Sequence, residues 1–350
     1  MLIGIIGAGI SGLTAGRILA KAGHEVIVFE KSRGFGGRIC TRHSNKYEGV
    51  RFDHGAPYIS GDDPLFKAFI TELTDKGIAK KWTDTFHFHD GEQLYDKHPN
   101  MDKKDRYVCE EGMNSIGKYL SRWVDVRLNT RVIGFTYQGD RRTTKRAWML
   151  NLESFDTFEV DAIVVAAPAV QTYGLIENSI DETMFKTIIK DIDSVLYSPK
   201  HALMLTYEGA DIPDFSALVV ANNPVVNWIC NENSKRENNS PNTLALTVHT
   251  HAAFSKKHVF DGSVPEIVEL EIAQQVRKIL GDWAGRYDES QLRLWRYPQP
   301  GNYFEKDFVE LGEDLKPIAL VGDYMRGKTL EHAYISGYKL GHHWAKRFSK

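Results

Sequence analysis

Three glycines near the start of the chain have the spacing of a loop that holds phosphate groups. Gly7, Gly9 and Gly12 form the pattern G-x-G-x-x-G between an apolar run and a helical pattern. The first glycine permits a tight turn, the second lets the backbone approach a pyrophosphate, and the third allows close helix–strand packing. Glu30 follows 18 residues after Gly12, where a carboxylate accepts hydrogen bonds from a ribose and repels a 2′-phosphate. These residues predict a dinucleotide site for a bare adenosine ribose.

A second glycine turn follows the acid directly. The stretch EKSRGFGGR places Gly34, Gly36, Gly37 and Arg38 after Glu30. A turn with a fixed cation can hold the same pyrophosphate from its other side. The first loop alone does not distinguish NAD from FAD, so the identity of the dinucleotide depends on this extension.

The elements that must position these residues are those of an α/β protein. Residues 2–7 and 25–30 have the apolar character of buried parallel strands, and residues 11–23 have helical spacing, which gives a βαβ unit of about 30 residues. Further patterns predict helices at 62–80, 112–123 and 264–281, strands at 161–168, 200–208, 243–250 and 317–325, and a polar loop at 231–242. Because nucleotide-type strands lie at both ends, we expect a discontinuous nucleotide domain with a second domain inserted.

Composition and charge limit the classes of protein. The chain has 350 residues and a formal net charge of −2, so no overall basic field points to nucleic acid or an anionic membrane. No stretch approaches the ~18 apolar residues of a membrane span, and the start lacks a signal-peptide pattern. The three cysteines, Cys40, Cys109 and Cys230, lie far apart. We expect a cytoplasmic protein, a monomer or homodimer, that binds neither nucleic acid nor membrane.

The extended glycine region resembles the flavin-containing amine oxidase superfamily, whose FAD site carries E…GGR at this spacing. FDHGAPYIS (52–60), NTRVIGF (129–135), DAIVVAAPAVQT (161–172) and ALVGDYMRGKTLEHAYISG (319–337) are similar to further blocks of these flavoproteins. The resemblance implies an α/β fold in which a Rossmann-type FAD-binding domain, of the GR2 or p-hydroxybenzoate-hydroxylase-like architecture, carries an inserted mixed-sheet substrate domain. We expect the FAD-binding domain to comprise residues 1–60, 100–170 and 315–350, and the substrate domain residues 61–99 and 171–314.

The resemblance also implies how FAD is held. Segment 52–60, with Asp53 among its matching residues, would lie near the isoalloxazine ring, and Asp323 at the ribityl or pyrophosphate region. The N-terminal amides of a helix beginning near Leu330 would stabilise negative charge that builds on flavin reduction. No cysteine lies just before this last block, where covalent members of the superfamily tether FAD, so we expect non-covalent FAD. The implied cofactor-binding residues are Gly7, Gly9, Ile10, Ser11, Gly12, Glu30, Lys31, Gly36, Gly37, Arg38, Gly55, Ala56, Val132, Ala167, Pro168, Gly322, Asp323, Leu330, Glu331 and Ala333.

Within the superfamily, the sequence is most similar to the renalase-like FAD-dependent oxidoreductases. The chain is shorter than classical amine oxidases, and NWICNENSKRENNSP (227–241), LTVHTHAAFS (246–255) and WRYPQP (295–300) resemble renalase-like stretches. The resemblance implies oxidation of 2- or 6-dihydro isomers of NAD(P) to NAD(P)+ by hydride transfer to flavin N5, with O2 reoxidising the flavin to give H2O2. Such a transfer requires stacking, positioning and exclusion of water rather than a general base. The candidate substrate-site residues are His249, Trp295, Tyr297 and Tyr58; Trp295 and Tyr297 share one face if their segment is extended.

Other functions stay open. The runner-up is an FAD-dependent oxidase or dehydrogenase of a small amine or another CH–NH or CH–CH donor. Such an enzyme commonly has a lysine near flavin N5, for which Lys306 and Lys328 are the nearest candidates by position. A third possible function is that of a flavoprotein whose FAD is structural or senses redox state. His87 and His89 suggest a metal site, but no further ligands at matched spacing are evident, so we expect none.

Overall fold

The computed structural model describes residues 1–139, 146–179, 182–236, 242–259, 265–311 and 317–349. Its strands are β1 (Leu2–Ile6), β2 (Glu25–Phe29), β3 (Arg42–His43), β4 (Arg51–Phe52), β5 (Lys80–Thr83), β6 (His87–His89), β7 (Leu94–Tyr95), β8 (Arg106–Val108), β9 (Asp125–Arg127), β10 (Val132–Tyr137), β11 (Trp148–Leu152), β12 (Thr157–Val160), β13 (Ala162–Val165), β14 (Lys200–Glu208), β15 (Ala217–Val220), β16 (Val226–Asn231), β17 (Thr243–Thr250), β18 (Glu289–Trp295), β19 (Val309–Leu311) and β20 (Ile318–Leu320).

The α-helices are α1 (Ile10–Lys21), α2 (Pro64–Asp75), α3 (Ser115–Leu120), α4 (Ala169–Glu177), α5 (Glu182–Asp193), α6 (Ala252–Lys257), α7 (Glu266–Leu280) and α8 (Leu330–Arg347). Short 3₁₀ helices span Ser121–Trp123, Glu232–Lys235 and Asp282–Gly285. Within this part of the chain, no helix combines the length and the apolar character needed to cross a membrane.

A six-stranded sheet takes strands from both ends of the chain. Its order is β19-β20-β13-β1-β2-β9, and all neighbours are parallel except β19, which pairs antiparallel with β20. β1 is buried along its whole length, as expected of a strand covered on both faces. Helix α1 connects β1 to β2 and packs against α8, where a Cβ at Gly337 would lie 2.1 Å from the Ser11 carbonyl oxygen. The predicted α/β class with a Rossmann-type βαβ unit is confirmed.

The middle of the chain forms a mixed seven-stranded sheet. Its order is β18-β14-β17-β16-β15-β6-β7, with β6 parallel to β15 and the other neighbours antiparallel. Helix α7 packs Val268, Ile272 and Val276 against one face. On the other face, Phe52 of β4 packs against Met204. The domain boundaries expected from the sequence stay predictions.

The segment expected to be a polar loop contains a buried ion cluster, so that expectation was wrong for residues 231–236. Asn231 ends β16, and Glu232–Lys235 form a 3₁₀ helix. Glu232 and Lys235 are 0% exposed and Arg236 is 4% exposed. Their partner is Asp53, which is also fully buried. Residues 237–241 of the predicted loop lie outside the described residues.

Each cation of this cluster contacts both carboxylates. Lys235 Nζ lies 3.3 Å from Asp53 Oδ2 and 3.0 Å from Glu232 Oε2, and Arg236 reaches the same two groups at 2.5 and 2.8 Å. Burial alone would raise the pKa of Asp53, but Lys235 and Arg236 more than offset it and lower the pKa to about 2. Because this value lies below that of an unfolded aspartate, the contribution to stability is present at neutral pH and is lost as the pH falls toward about 2.

We expect Lys235→Met to lower the free energy of unfolding by about 3–5 kcal/mol, because it leaves a buried carboxylate without its balancing charge. The matched control is Lys46→Met, since the Lys46 ammonium lies 3.4 Å from Asp288 at an exposed position, where loss of an ion pair has little effect on stability. Denaturant titration followed by circular dichroism measures both variants. Equal losses in the two variants would contradict a stabilising role for the cluster.

Candidate functional site

A large cleft lies between the carboxyl ends of β1, β2 and β13 and one face of the seven-stranded sheet. Its volume is about 1920 Å³, whereas ordinary small-molecule pockets reach about 1000 Å³. It therefore has room for an extended dinucleotide and a second ligand. All of the predicted cofactor-binding and substrate-site residues line it except Gly12, Gly322 and Glu331, and Asp53, also expected near the flavin, does not line it.

The first glycine loop meets the cleft at the start of α1. Gly7 has a φ of +108°, and a Cβ there would lie 2.8 Å from the Ala166 carbonyl oxygen. A Cβ at Gly12 would lie 2.4 Å from the Gly7 carbonyl oxygen, so Gly12 packs the helix against the loop. At Gly9, by contrast, a Cβ would meet no described neighbour within 4 Å, and α1 has no side-chain N-cap. An open backbone surface with uncapped helix N–H groups fits a pyrophosphate.

Glu30 and Arg38 flank this loop, and each is held by defined partners. The Glu30 carboxylate accepts the N–H groups of Ala8 and Ser32, both at 2.8 Å. Arg38 contacts both carboxylate oxygens of Asp323 at 2.7 Å. Burial disfavours the Arg38 cation, but Asp323 more than offsets this effect and raises the pKa of Arg38. A permanent cation therefore lines the cleft beside the second glycine turn.

The second glycine turn joins the first loop to segment 52–60. Gly36 has a φ of +96° and donates its N–H to the Ala8 carbonyl oxygen at 2.9 Å. The Ala56 N–H donates to the Arg38 carbonyl oxygen at 2.9 Å. A Cβ at Gly55 would lie 2.0 Å from that same oxygen, so only glycine permits this approach.

The remaining predicted cofactor residues lie on several elements. Most of them line the cleft, and two do not. Those that line the cleft are Lys31 after β2, Val132 at the start of β10, Ala167 and Pro168 after β13, and Leu330 and Ala333 in the first turn of α8. The Glu331 carboxylate instead accepts the N–H groups of Asp62 and Asp63 at 2.7 and 2.6 Å. Gly322 donates its N–H to Ser336 Oγ at 3.1 Å. These two residues hold neighbouring segments in place.

The opposite wall of the cleft is the face of the seven-stranded sheet that α7 does not cover. Lys200 lies opposite Trp295 in the antiparallel register, and Arg293, His249 and Trp228 lie in one row across four strands. Directly opposed residues, and residues two apart on a strand, share one face of a sheet. All five side chains therefore stand on the same face, and all five line the cleft.

His54, which the sequence did not single out, connects this wall to the cofactor loops. Its carbonyl oxygen accepts hydrogen bonds from Trp295 Nε1 at 2.9 Å and His249 Nε2 at 3.3 Å, and its ring stacks on Trp295 at 5.3 Å. Burial lowers the pKa of His54 to about 4 and that of His249 to about 3, so both rings are neutral near neutral pH. Cys40 Sγ lies 3.0 Å from His54 Nε2, and burial raises the pKa of this thiol to about 12.

Segment 52–60 contributes residues both to the cleft and to the buried ion cluster. Tyr58 lines the cleft and lies in an aromatic cluster with Trp82, Phe86 and Trp228, at centroid distances of 5.5 to 6.2 Å from its own ring. Asp53, expected near the isoalloxazine ring with the rest of the segment, does not line the cleft. It points into the ion cluster, because two buried cations are its partners there.

Two further features of the cleft differ from the sequence-based expectations. Of the lysines considered for a flavin site, Lys328 lines the cleft and Lys306 does not, whereas Lys200 lines it and was missed. The sequence places Lys200 at the start of a predicted strand, but only the pairing with the neighbouring strands determines which face of the sheet its side chain occupies. Strand β18 ends before Tyr297, so Tyr297 reaches the cleft from the following loop.

Known proteins share both the sequence patterns and the fold. The sequence matches two families, described as "NAD(P)-binding Rossmann-like domain" over residues 5–73 and "Flavin containing amine oxidoreductase" over residues 96–339. It is 44% identical over 69 residues to an L-amino-acid oxidase of Siganus canaliculatus, covering 20% of this chain and 13% of that protein. It is 33% identical over 120 residues to a 4,4′-diapophytoene desaturase of Staphylococcus aureus (strain Newman), covering 34% of this chain and 22% of that protein. The matches thus span less than a quarter of the length of these curated relatives.

Among solved structures, the cyclohexylamine oxidase from Brevibacterium oxydans IH-35A has a TM-score of 0.72 at 12% identity, covering 99% of both chains. This similarity extends over the whole fold, and the flavin family match covers more than two thirds of the chain, residues 96–339 of 350. The open glycine loop, the uncapped start of α1 and the volume of the cleft fit a flavin dinucleotide. This chain therefore belongs to the flavin-containing amine oxidoreductase family, with FAD as its cofactor.

Proposed function

We propose that the protein is an FAD-dependent oxidase of the renalase-like type. It oxidises 2- and 6-dihydro isomers of NAD(P) to NAD(P)+, and O2 takes up the electrons to give H2O2. The single observation that supports this substrate class most strongly is the charge on the sheet side of the cleft.

Three cations on this side have no acidic partner among the described residues. Lys200 and Arg293 stand on the sheet face and Arg42 lies close to His54, and none of the three forms an ion pair within the described part of the chain. The acidic side chains lining the cleft are all engaged: Asp323 by Arg38, Glu30 by backbone N–H groups, Glu153 by Arg131 and Glu269 by Ser290. The wall therefore attracts an anionic ligand, and the pyrophosphate of a dinucleotide is such a group.

A small amine is a poorer match for the same wall. Aliphatic amines are protonated near neutral pH, and burying an ammonium group is costly without an anionic or hydrogen-bonding partner. Trp228 and Trp295 attract cations through their ring faces. However, Lys200 and Arg293 stand on the same face of the sheet and repel a further positive charge. The charge of the cleft thus favours the dihydronicotinamide dinucleotide over the amine alternative.

Bound FAD supplies the two-electron acceptor, and the residues of the chain bind and orient the substrate. The indole ring of Trp295 offers a flat surface on which a pyridine ring can stack. Because a dihydropyridine loses a hydride without losing a proton, positioning matters and a general base is not required. His249 agrees with this requirement, since its pKa of about 3 makes it a weak base and its Nε2–H is donated to the His54 carbonyl oxygen.

The reaction of the flavin with each isomer of dihydro-NAD(P) distinguishes this function from its alternatives. We expect the 2- or 6-dihydro isomer, mixed anaerobically with the purified holoprotein, to bleach the visible absorbance band of the flavin and to form NAD(P)+. The ordinary 4-dihydro isomer, which has the same charge but carries its hydride on another ring carbon, is the matched control. Bleaching by small amines and by none of the isomers would contradict the proposal and favour the amine reading. Bleaching by dithionite alone would favour a structural or sensing flavin.

We expect Lys200→Met to raise the KM for the dinucleotide about tenfold or more, because a hydrogen bond to a charged group contributes about 1.5–3 kcal/mol. As the pH rises, Lys200 loses its charge and the KM of the wild-type protein increases. Because burial lowers the pKa of Lys200, this increase occurs at a lower pH than it would with an ordinary lysine. Lys200→Arg keeps a permanent charge and removes that rise.

The control for this measurement is Lys104→Met. Lys104 also lines the cleft, but it is paired with Asp62, so its loss is expected to change the KM by about twofold or less. Steady-state kinetics across a pH series measures all three variants. If KM in Lys200→Met equals that of Lys104→Met, the sheet-side cations do not bind the substrate.

A further inference from the structure

A β-bulge in strand β16 brings two neighbouring side chains into the cleft. Val226 pairs with Thr250, but Trp228 pairs with His249, so Asn227 is an extra residue in the ladder. In a regular strand, consecutive side chains point to opposite faces of the sheet. Here Asn227 and Trp228 both line the cleft. Bulges of this kind re-aim side chains and are common next to active sites.

Each of these side chains contributes a buried polar atom that has no hydrogen-bond partner among the described residues. These atoms are Asn227 Oδ1 and Trp228 Nε1. The first is an acceptor and the second is a donor. Leaving such atoms unpaired inside a protein is costly, and most buried polar atoms have a partner. A ligand group that carries one donor and one acceptor matches these two atoms.

The indole ring of Trp228 packs against other aromatic side chains. The Phe86 ring packs edge-on against Trp228 with centroids 4.6 Å apart and an interplanar angle of 86°. Tyr58 lies on another side, with ring centroids 6.2 Å apart. On the sheet, Trp228 lies directly opposite His249, which is neutral near neutral pH. These neighbours of the Trp228 donor are uncharged, which suits an uncharged polar ligand group.

We propose that Asn227 and Trp228 form a binding site for a primary carboxamide, that of the nicotinamide ring of the substrate. The carboxamide NH2 donates to Asn227 Oδ1, and its carbonyl oxygen accepts from Trp228 Nε1. This assignment rests on the proposed dihydronicotinamide function and names the group by which the ring is recognised. It makes Asn227 the specificity-determining residue, which selects a carboxamide over a ketone at the same position of the ring, while Trp228 binds the carbonyl oxygen that both groups have.

Equilibrium binding tests the carboxamide site without turnover. The holoprotein is titrated by calorimetry with NAD+ and with 3-acetylpyridine adenine dinucleotide, which keeps the carbonyl oxygen but has a methyl group in place of NH2. We expect the wild-type protein to bind NAD+ about tenfold more tightly, because the analogue leaves Asn227 Oδ1 unpaired. We expect Asn227→Leu to bind the two ligands equally. Trp228→Phe is expected to weaken both about tenfold and to keep the ratio, because both ligands have the carbonyl oxygen.

Two further variants serve as controls. Trp82→Phe removes an indole N–H from the same aromatic cluster, but that N–H donates to Ser234 Oγ at 3.0 Å, and Trp82 does not line the cleft; we expect both affinities to stay unchanged. Asn227→Asp keeps an acceptor at the same place and is expected to keep the preference for NAD+. It serves in place of Asn227→Leu if that variant does not retain flavin.

Several outcomes would overturn the inference. These are equal binding of the two ligands by the wild-type protein, a tenfold preference that survives in Asn227→Leu, loss of that preference in Asn227→Asp, and no binding of either ligand. If the binding pattern holds but no dihydro isomer bleaches the flavin, the carboxamide site stands and the proposed oxidase function fails. If the isomers bleach the flavin but the preference is absent, the function stands and this site assignment fails.

Discussion

The buried ion cluster holds together two parts of the chain that are distant in sequence. Asp53 and Lys235 lie 182 residues apart, and both are fully buried. Removing charges from water costs free energy, and a buried pair recovers this cost only with good geometry. Here each cation contacts both carboxylates, at distances of 2.5 to 3.3 Å. The position of segment 52–60 relative to the seven-stranded sheet depends on this arrangement.

The two walls of the cleft meet next to this cluster. His54 follows Asp53 directly, and its carbonyl oxygen accepts hydrogen bonds from two side chains of the sheet face. One residue later, Gly55 packs against the backbone of Arg38, which in turn pairs with Asp323. Contacts therefore continue from the buried charges through His54 to the glycine turns that fit FAD. A displacement at the cluster would move the substrate wall relative to the cofactor wall.

Burial gives the cleft an unusual combination of charges. It keeps His54 and His249 neutral near neutral pH, with pKa values of about 4 and about 3. The sheet face nevertheless carries the cations Lys200 and Arg293, which no described carboxylate balances. Such a wall attracts anionic ligands while offering no strong base. Both properties suit a substrate that is held by its phosphates and gives up a hydride.

Local sequence patterns were sufficient for the nucleotide half of the fold. The apolar run of β1, the glycine spacing and the acid at Glu30 all belong to one unit of about 30 residues, so neighbouring residues determine its form. The same holds for β14 and β17, which the sequence predicted as strands at 200–208 and 243–250. The glycine loops and their cation also line the cleft where the motif implies.

The tertiary structure alone decided which residues share the substrate wall. The polar composition of 231–236 predicted a solvated loop, because the partner that buries these charges, Asp53, lies far away in sequence. Lys200, His249 and Trp228 meet on one face only through the register of three strands. The bulge at Asn227 has no local signature, since an extra residue is defined only against the partner strand. Short-range patterns determine elements, whereas pairing between distant strands determines which side chains meet.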